Sequence, residues 1–109
     1  MKQLSTLELK EKINEGENFV LDLYATWCGP CKVMLNNLQR VNESLINEST
    51  SSNNYNIYKF DIDSDREFAM NELGIRSVPT IKFFKNGKEY HSKTGVMSPS
   101  DVLEIITNN

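Results

Sequence analysis

Two cysteines sit three positions apart in Trp27-Cys28-Gly29-Pro30-Cys31-Lys32, and they are the only two in the 109 residues. A disulfide across such a short loop gains little stability from chain entropy. The pair therefore suits reversible thiol–disulfide exchange better than stapling. A structural zinc site usually needs four ligands; here the one other good candidate is His91, and there is no second C-x-x-C pair. His91 otherwise reads as a surface residue, so no metal site is expected. A second chemically notable group is Asp22, a carboxylate inside the otherwise apolar run Phe19-Val20-Leu21-Asp22-Leu23. Burying a charge is costly. Asp22 is thus either a satisfied core carboxylate or a group whose pKa burial raises, fitting it for proton transfer.

These groups need elements to position them. Phe19 to Tyr24 reads as a strand buried on both faces of a sheet. Residues 30–46 read as a helix: Pro30 suits a first turn, and Met34, Leu38, Val41 and Leu45 recur at helical spacing. The cysteines thus fall where a buried strand turns into a helix. The first turn of a helix presents unpaired N–H groups and the positive end of the macrodipole. A thiolate at Cys28 is favoured there, while Cys31, one turn further in, is more shielded. Upstream, Ser5 and Glu8 form a capping-box signal for a helix over 6–15 that ends at Gly16. Downstream, Ile57 to Ile62 alternates as a strand does, and residues 65–73 read as a helix with Gly74 at its exit. Thr80 to Phe84 and Lys88 to His91 flank Asn86-Gly87, a strong hairpin signal. Ser98-Pro99 opens a last helix with Val102, Ile105 and Ile106 on its buried face. The expected architecture is α/β: a βαβ unit with parallel strands, extended by an antiparallel hairpin into a central mixed sheet with helices on both faces.

The length suits one domain, residues 1–109. The net charge of -3, with its 12 Lys and Arg forming no basic cluster, points away from nucleic acid and anionic membranes. No apolar run approaches a membrane span or a signal-peptide core, so a cytoplasmic location is expected; no long apolar stripe is left over for an interface, so a monomer is expected. Asn47 to Asn54 is rich in polar turn-formers and reads as a surface loop.

The stretch Asp22-Leu23-Tyr24-Ala25-Thr26-Trp27-Cys28-Gly29-Pro30-Cys31-Lys32 closely resembles the active-site segment of the thioredoxin family. The resemblance continues through Lys59-Phe60-Asp61-Ile62-Asp63, Gly74-Ile75-Arg76-Ser77-Val78-Pro79-Thr80, Phe84-Lys85-Asn86-Gly87 and Gly95. It implies the thioredoxin fold and a protein-disulfide reductase with no bound cofactor beyond a redox-active Cys28–Cys31 disulfide. Cys28 is then the nucleophile and Cys31 the resolving thiol. Asp22 matches the buried acid that helps deprotonate the resolving thiol, and Lys59 the lysine that accompanies it. Pro79 matches a cis-proline facing the cysteines, with Val78 offering backbone groups to an extended substrate strand. Trp27, Gly29, Pro30, Val78, Pro79, Gly95 and Val96 form the implied docking surface. An NADPH-dependent thioredoxin reductase is the implied electron donor, and oxidised proteins are the substrates. Two positions depart from the family pattern. Tyr24 stands where a second tryptophan is common, and Asn36 where the long helix often carries a kinking proline. The contrasting reading is a binding or assembly subunit that reuses the same surface without turnover.

Overall fold

The structure, a computed structural model, describes residues 1–47 and 54–109. Most of the Asn47–Asn54 loop reading therefore lies outside the described residues.

The run read as a doubly buried strand becomes β2 (Asn18–Tyr24), and only its two end residues escape full burial. It occupies the middle of the sheet because both of its faces are apolar. On one side it pairs in parallel with β3 (Tyr55–Asp61), and on the other antiparallel with β4 (Thr80–Lys85). The hairpin continues into β5 (Lys88–Thr94), which pairs antiparallel with β4. One further strand, β1 (Lys2–Gln3), lies parallel to β3 at the opposite edge, so the sheet order is β1-β3-β2-β4-β5. The sequence reading placed no strand at β1. Two residues are too few to show a period, and this edge exists only because β3 offers backbone partners.

Alternation along β2 sends its side chains to two cores. Phe19, Leu21 and Leu23 pack with Leu9 of helix α1 (Thr6–Asn14) and with Phe68 and Ala69 of helix α3 (Arg66–Asn71). Val20 faces the other way, with Met34, Leu38 and Val41 of helix α2 (Gly29–Asn47) and Val102 and Ile106 of helix α4 (Pro99–Thr107). Full burial of one such aliphatic side chain is worth roughly 1.5–3 kcal/mol. Asp22 falls in the slot that alternation assigns to the α2 face.

Local signals set the element ends. The Ser5 hydroxyl accepts the Glu8 N–H (3.1 Å), and the Glu8 carboxylate accepts the Ser5 N–H (3.0 Å). Ser98 caps α4, which carries Pro99 in its first turn. Of the face read as buried, Val102 and Ile106 are buried, and Ile105 is half-buried and packs against the same core. Between β3 and α3 the single helix expected over 65–73 is preceded by a 3-10 turn at Ile62–Ser64. Asp61 caps that turn, and Asp65 caps α3 by accepting the Phe68 N–H (3.2 Å). Asn86 and Gly87 both have positive φ, 54° and 76°, as a tight hairpin of this type requires. A Cβ on Gly87 would run into the Ile13 carbonyl oxygen. The turn is tied to β2 and its approach: Asn86 N–H donates to Asn18 Oδ1 (2.8 Å) and Gly87 N–H to the Glu17 carbonyl (3.1 Å). Among the described residues, no helix is long and apolar enough to cross a membrane.

Candidate active site

The chain leaves β2 at Tyr24, turns through Ala25-Thr26-Trp27, and enters α2 at Gly29. The turn is closed by the Cys28 N–H donating to the Ala25 carbonyl (3.2 Å). Cys28 and Cys31 are joined in a disulfide with their Cα atoms 5.3 Å apart. The Cys31 N–H, one of the free donors of the first helical turn, points at Cys28 Sγ (3.2 Å). A hydrogen bond to sulfur favours the anionic form, and the helix dipole acts in the same sense. Both cysteines are nearly buried, 5% and 4% exposed. Ala25 packs beside them, with Tyr24, Ile62 and Val78 around the cluster. Only a narrow part of either sulfur therefore meets solvent.

Behind the disulfide lies a cleft of about 220 Å³ lined by Asp22, Tyr24, Cys28, Cys31, Lys32 and Lys59, among others. Asp22 is 1% exposed, and its Oδ1 has no hydrogen-bond partner among the described residues. Burial pushes its carboxyl up to about 7, opposed by the Lys59 ammonium. Lys59 is there because β3 pairs in register with β2, setting Lys59 directly beside Asp22. Its ammonium lies 5.7 Å from the centre of the Tyr24 ring. The Tyr24 hydroxyl in turn donates to Gln3 Oε1 of β1 (2.6 Å). The sequence reading noted Tyr24 only as a departure from pattern. Its place beside the lysine follows from the β2–β3 register, which sets Tyr24 opposite Asp61, two residues beyond Lys59; β1, the strand that the reading did not contain, adds only the Gln3 partner. Lys32, read as a solvated helix residue, is exposed and also borders the cleft.

On the outer side, Trp27 is 66% exposed, and its indole N–H donates to Asp63 Oδ2 (2.8 Å). The Val78–Pro79 peptide bond is cis. Val78 packs against the cysteine cluster, and the Pro79 carbonyl accepts the Gly95 N–H (2.8 Å). Gly29, Pro30 and Val96 are exposed near these elements, whereas Pro79 is buried. The structure thus brings Asp22, Lys59, Cys28 and Cys31 together around one cleft and sets Val78 against the disulfide. His91 lies on β5 with its ring 5.5 Å from that of Phe83, in a separate part of the sheet. Among the described residues, no group of three or more His, Cys, Asp or Glu side chains is placed to hold a metal ion.

The arrangement has clear relatives. A thioredoxin of Aspergillus fumigatus is 38% identical over 92 residues, covering 84% of this chain and 78% of that one. The thioredoxin of Malassezia sympodialis is 32% identical over 107 residues, covering 97% and 95%. Among solved structures, mitochondrial thioredoxin 3 from Saccharomyces cerevisiae, in its oxidised form, superposes with a TM-score of 0.82 at 25% identity, covering 100% of this chain and 95% of that one. The family pattern described as thioredoxin matches residues 1–108. With the mixed five-stranded sheet, the strand-to-helix disulfide and this match running along nearly the whole chain, the protein belongs to the thioredoxin family.

Proposed function

We propose that the chain acts as a single domain, residues 1–109, that reduces protein disulfides by cycling Cys28 and Cys31 between dithiol and disulfide. The observation that carries this reading is the pairing of a disulfide at a helix start with a buried, unpartnered carboxyl in the cleft behind it. In the reduced protein the Cys28 thiolate, favoured by the Cys31 N–H and the helix dipole, attacks one sulfur of a substrate disulfide. A Cys28–substrate bond forms, the substrate S–S bond breaks, and the second substrate sulfur leaves as a thiolate. Cys31 then gives its proton to Asp22, either directly or through water in the cleft, and attacks Cys28 Sγ. The mixed disulfide breaks, the first substrate sulfur leaves as a thiolate, and the Cys28–Cys31 disulfide forms. Two electrons have passed to the substrate. A carboxyl poised near pH 7 is suited to accept that proton under neutral conditions.

Trp27, Gly29, Pro30, Val78, Pro79, Gly95 and Val96 hold the substrate, with the Val78 backbone pairing with an extended segment. An NADPH-dependent thioredoxin reductase restores the dithiol, and the cytoplasm, where thiols are kept reduced, is the working compartment. The test is reduction of insulin disulfides driven by dithiothreitol, comparing the protein with Cys28→Ser. Acceleration that vanishes in the variant supports the reading. No acceleration by folded, reduced protein overturns it in favour of a binding subunit that works without turnover.

A further inference from the structure

On the α3 side of Trp27 runs a second depression, a groove of about 580 Å³ separate from the cleft behind the disulfide. Its walls are mainly apolar (Trp27, Ile62, Met70, Ile75 and Val78), with Asn71 and Ser77 as neutral polar groups, and among the described residues its only ionisable side chains are Arg66 and Arg76. Among the described residues no carboxylate lines it, although the chain as a whole is acidic, with a net charge of -3. Trp27 and Met70 stand 66% and 60% exposed at the groove. Large apolar side chains held this far into solvent are a feature of contact surfaces. The two cations differ. Arg66 is paired with Asp63 (3.4 Å), the same carboxylate that holds the Trp27 indole. Arg76 is exposed, and among the described residues it enters no ion pair. It stands two residues before Val78, so a strand laid along this backbone would bring a side chain of its own opposite Arg76. Glu67 and Glu72 lie on or just after α3 but do not line the groove, and Glu72 faces Lys10 (4.0 Å).

We infer that this groove extends the docking surface and selects oxidised protein segments that carry a carboxylate close to the reacting cysteine, with Arg76 as the residue that reads it. The inference rests on the disulfide-reductase reading and names the substrate class that such an enzyme would prefer. The apolar wall takes an aliphatic or aromatic neighbour of the cysteine. Arg76 draws in the acidic one, mainly by raising the rate of productive encounter. Arg66, already neutralised by Asp63, contributes less.

The test uses the reduced protein with two peptide disulfides identical except at the positions two and three residues to either side of the cysteine. These positions are Glu in one peptide and Lys in the other. Bis(2-hydroxyethyl) disulfide, small and uncharged, serves as a third substrate. At low salt the wild-type protein is expected to reduce the Glu peptide about three- to tenfold faster than the Lys peptide, a preference that salt screens. In Arg76→Ala the ratio falls towards one, and in Arg76→Glu it inverts. Because each ratio is taken within one protein, a change in folded fraction cancels. Equal rates for the two peptides, or a wild-type ratio that survives both Arg76 substitutions, overturns the inference and leaves the reductase reading standing. Failure to reduce even the neutral disulfide overturns both. Sedimentation of the reduced protein checks the other occupant: a dimer at micromolar concentration that Arg76→Glu dissolves would assign the groove to a second copy and overturn the inference.

Discussion

Two hollows flank the Cys28–Cys31 disulfide, and they are built in opposite ways. The cleft behind it is walled by sheet residues and the first turns of α2, and at its base is a carboxyl with almost no exposure. The groove beside Trp27 is open, formed by α3 and the loop leading to Pro79, and its charges are cations held in solvent. A buried charge responds strongly to its neighbours because little water screens it. An exposed one acts weakly, and salt screens it beyond about 10 Å. On the proposed function, the cleft handles the proton and the groove handles the partner. Substitutions in the cleft should therefore change pH profiles, and substitutions in the groove should change substrate choice.

The largest effect belongs to the disulfide at the mouth of the cleft. Cys31→Ser is expected to lower turnover by about a thousandfold or more, since the second exchange step loses its nucleophile. The variant should accumulate a mixed disulfide at Cys28, visible as a mass increment equal to the bound substrate.

Asp22→Asn comes next. Release of reduced substrate is expected to slow about tenfold or more at neutral pH. The limb of the pH–rate profile centred on the Asp22 carboxyl, which burial raises to about 7, should disappear. The same substitution has a thermodynamic signature. A folded-state pKa above the unfolded one means that the native protein holds a proton the unfolded chain has lost. Stability therefore declines as pH rises from about 4 to about 7, and the decline is complete above that. Oxidised Asp22→Asn is expected to lack this slope and to exceed the parent by roughly 2–4 kcal/mol at pH 8 in denaturant titrations. A parent and variant that run parallel between pH 4 and 8 would remove the cleft's distinctive role.

Smaller effects sharpen the assignment. Trp27→Ala should raise KM for protein substrates several-fold with the pH–rate limb unmoved, since it strips the groove wall and leaves the cleft intact. Lys59→Met removes the ammonium that opposes burial, so the Asp22-dependent limb should move to higher pH while the peptide-charge preference stays. Tyr24→Phe deletes only the bond to Gln3, costing about 1 kcal/mol of stability. A shift in the pH profile of that variant would show that the ring's position tunes the lysine.

The cleft was largely legible before any coordinates, and the groove was not. Cys28 and Cys31 announce themselves by spacing, Asp22 by standing inside an apolar run, and Asn86-Gly87 by the conformations it demands. Each of these signals is short in range. The two-residue β1 carries no such signal, and it is what brings Gln3 to Tyr24. Arg66, Met70 and Arg76 read as ordinary exposed residues, spread over a helix and a loop. They meet only because the chain after α3 turns back towards Trp27, and no period in the sequence records that. The resemblance at Gly74 to Thr80 marked this loop for its proline but gave no role to its arginine.

The near-complete burial of both sulfurs bears on which disulfides such a protein could open. A bond in a rigid loop, flush with the surface of its host, cannot reach into a cysteine residue that is only 5% exposed. For a substrate to dock along Val78 as proposed, the host must first release a strand long enough to reach it. The free energy of that local opening, a property of the partner alone, then multiplies into the observed rate. Two disulfides with the same redox potential could be reduced at rates differing by orders of magnitude, ranked by how readily their own segments fray.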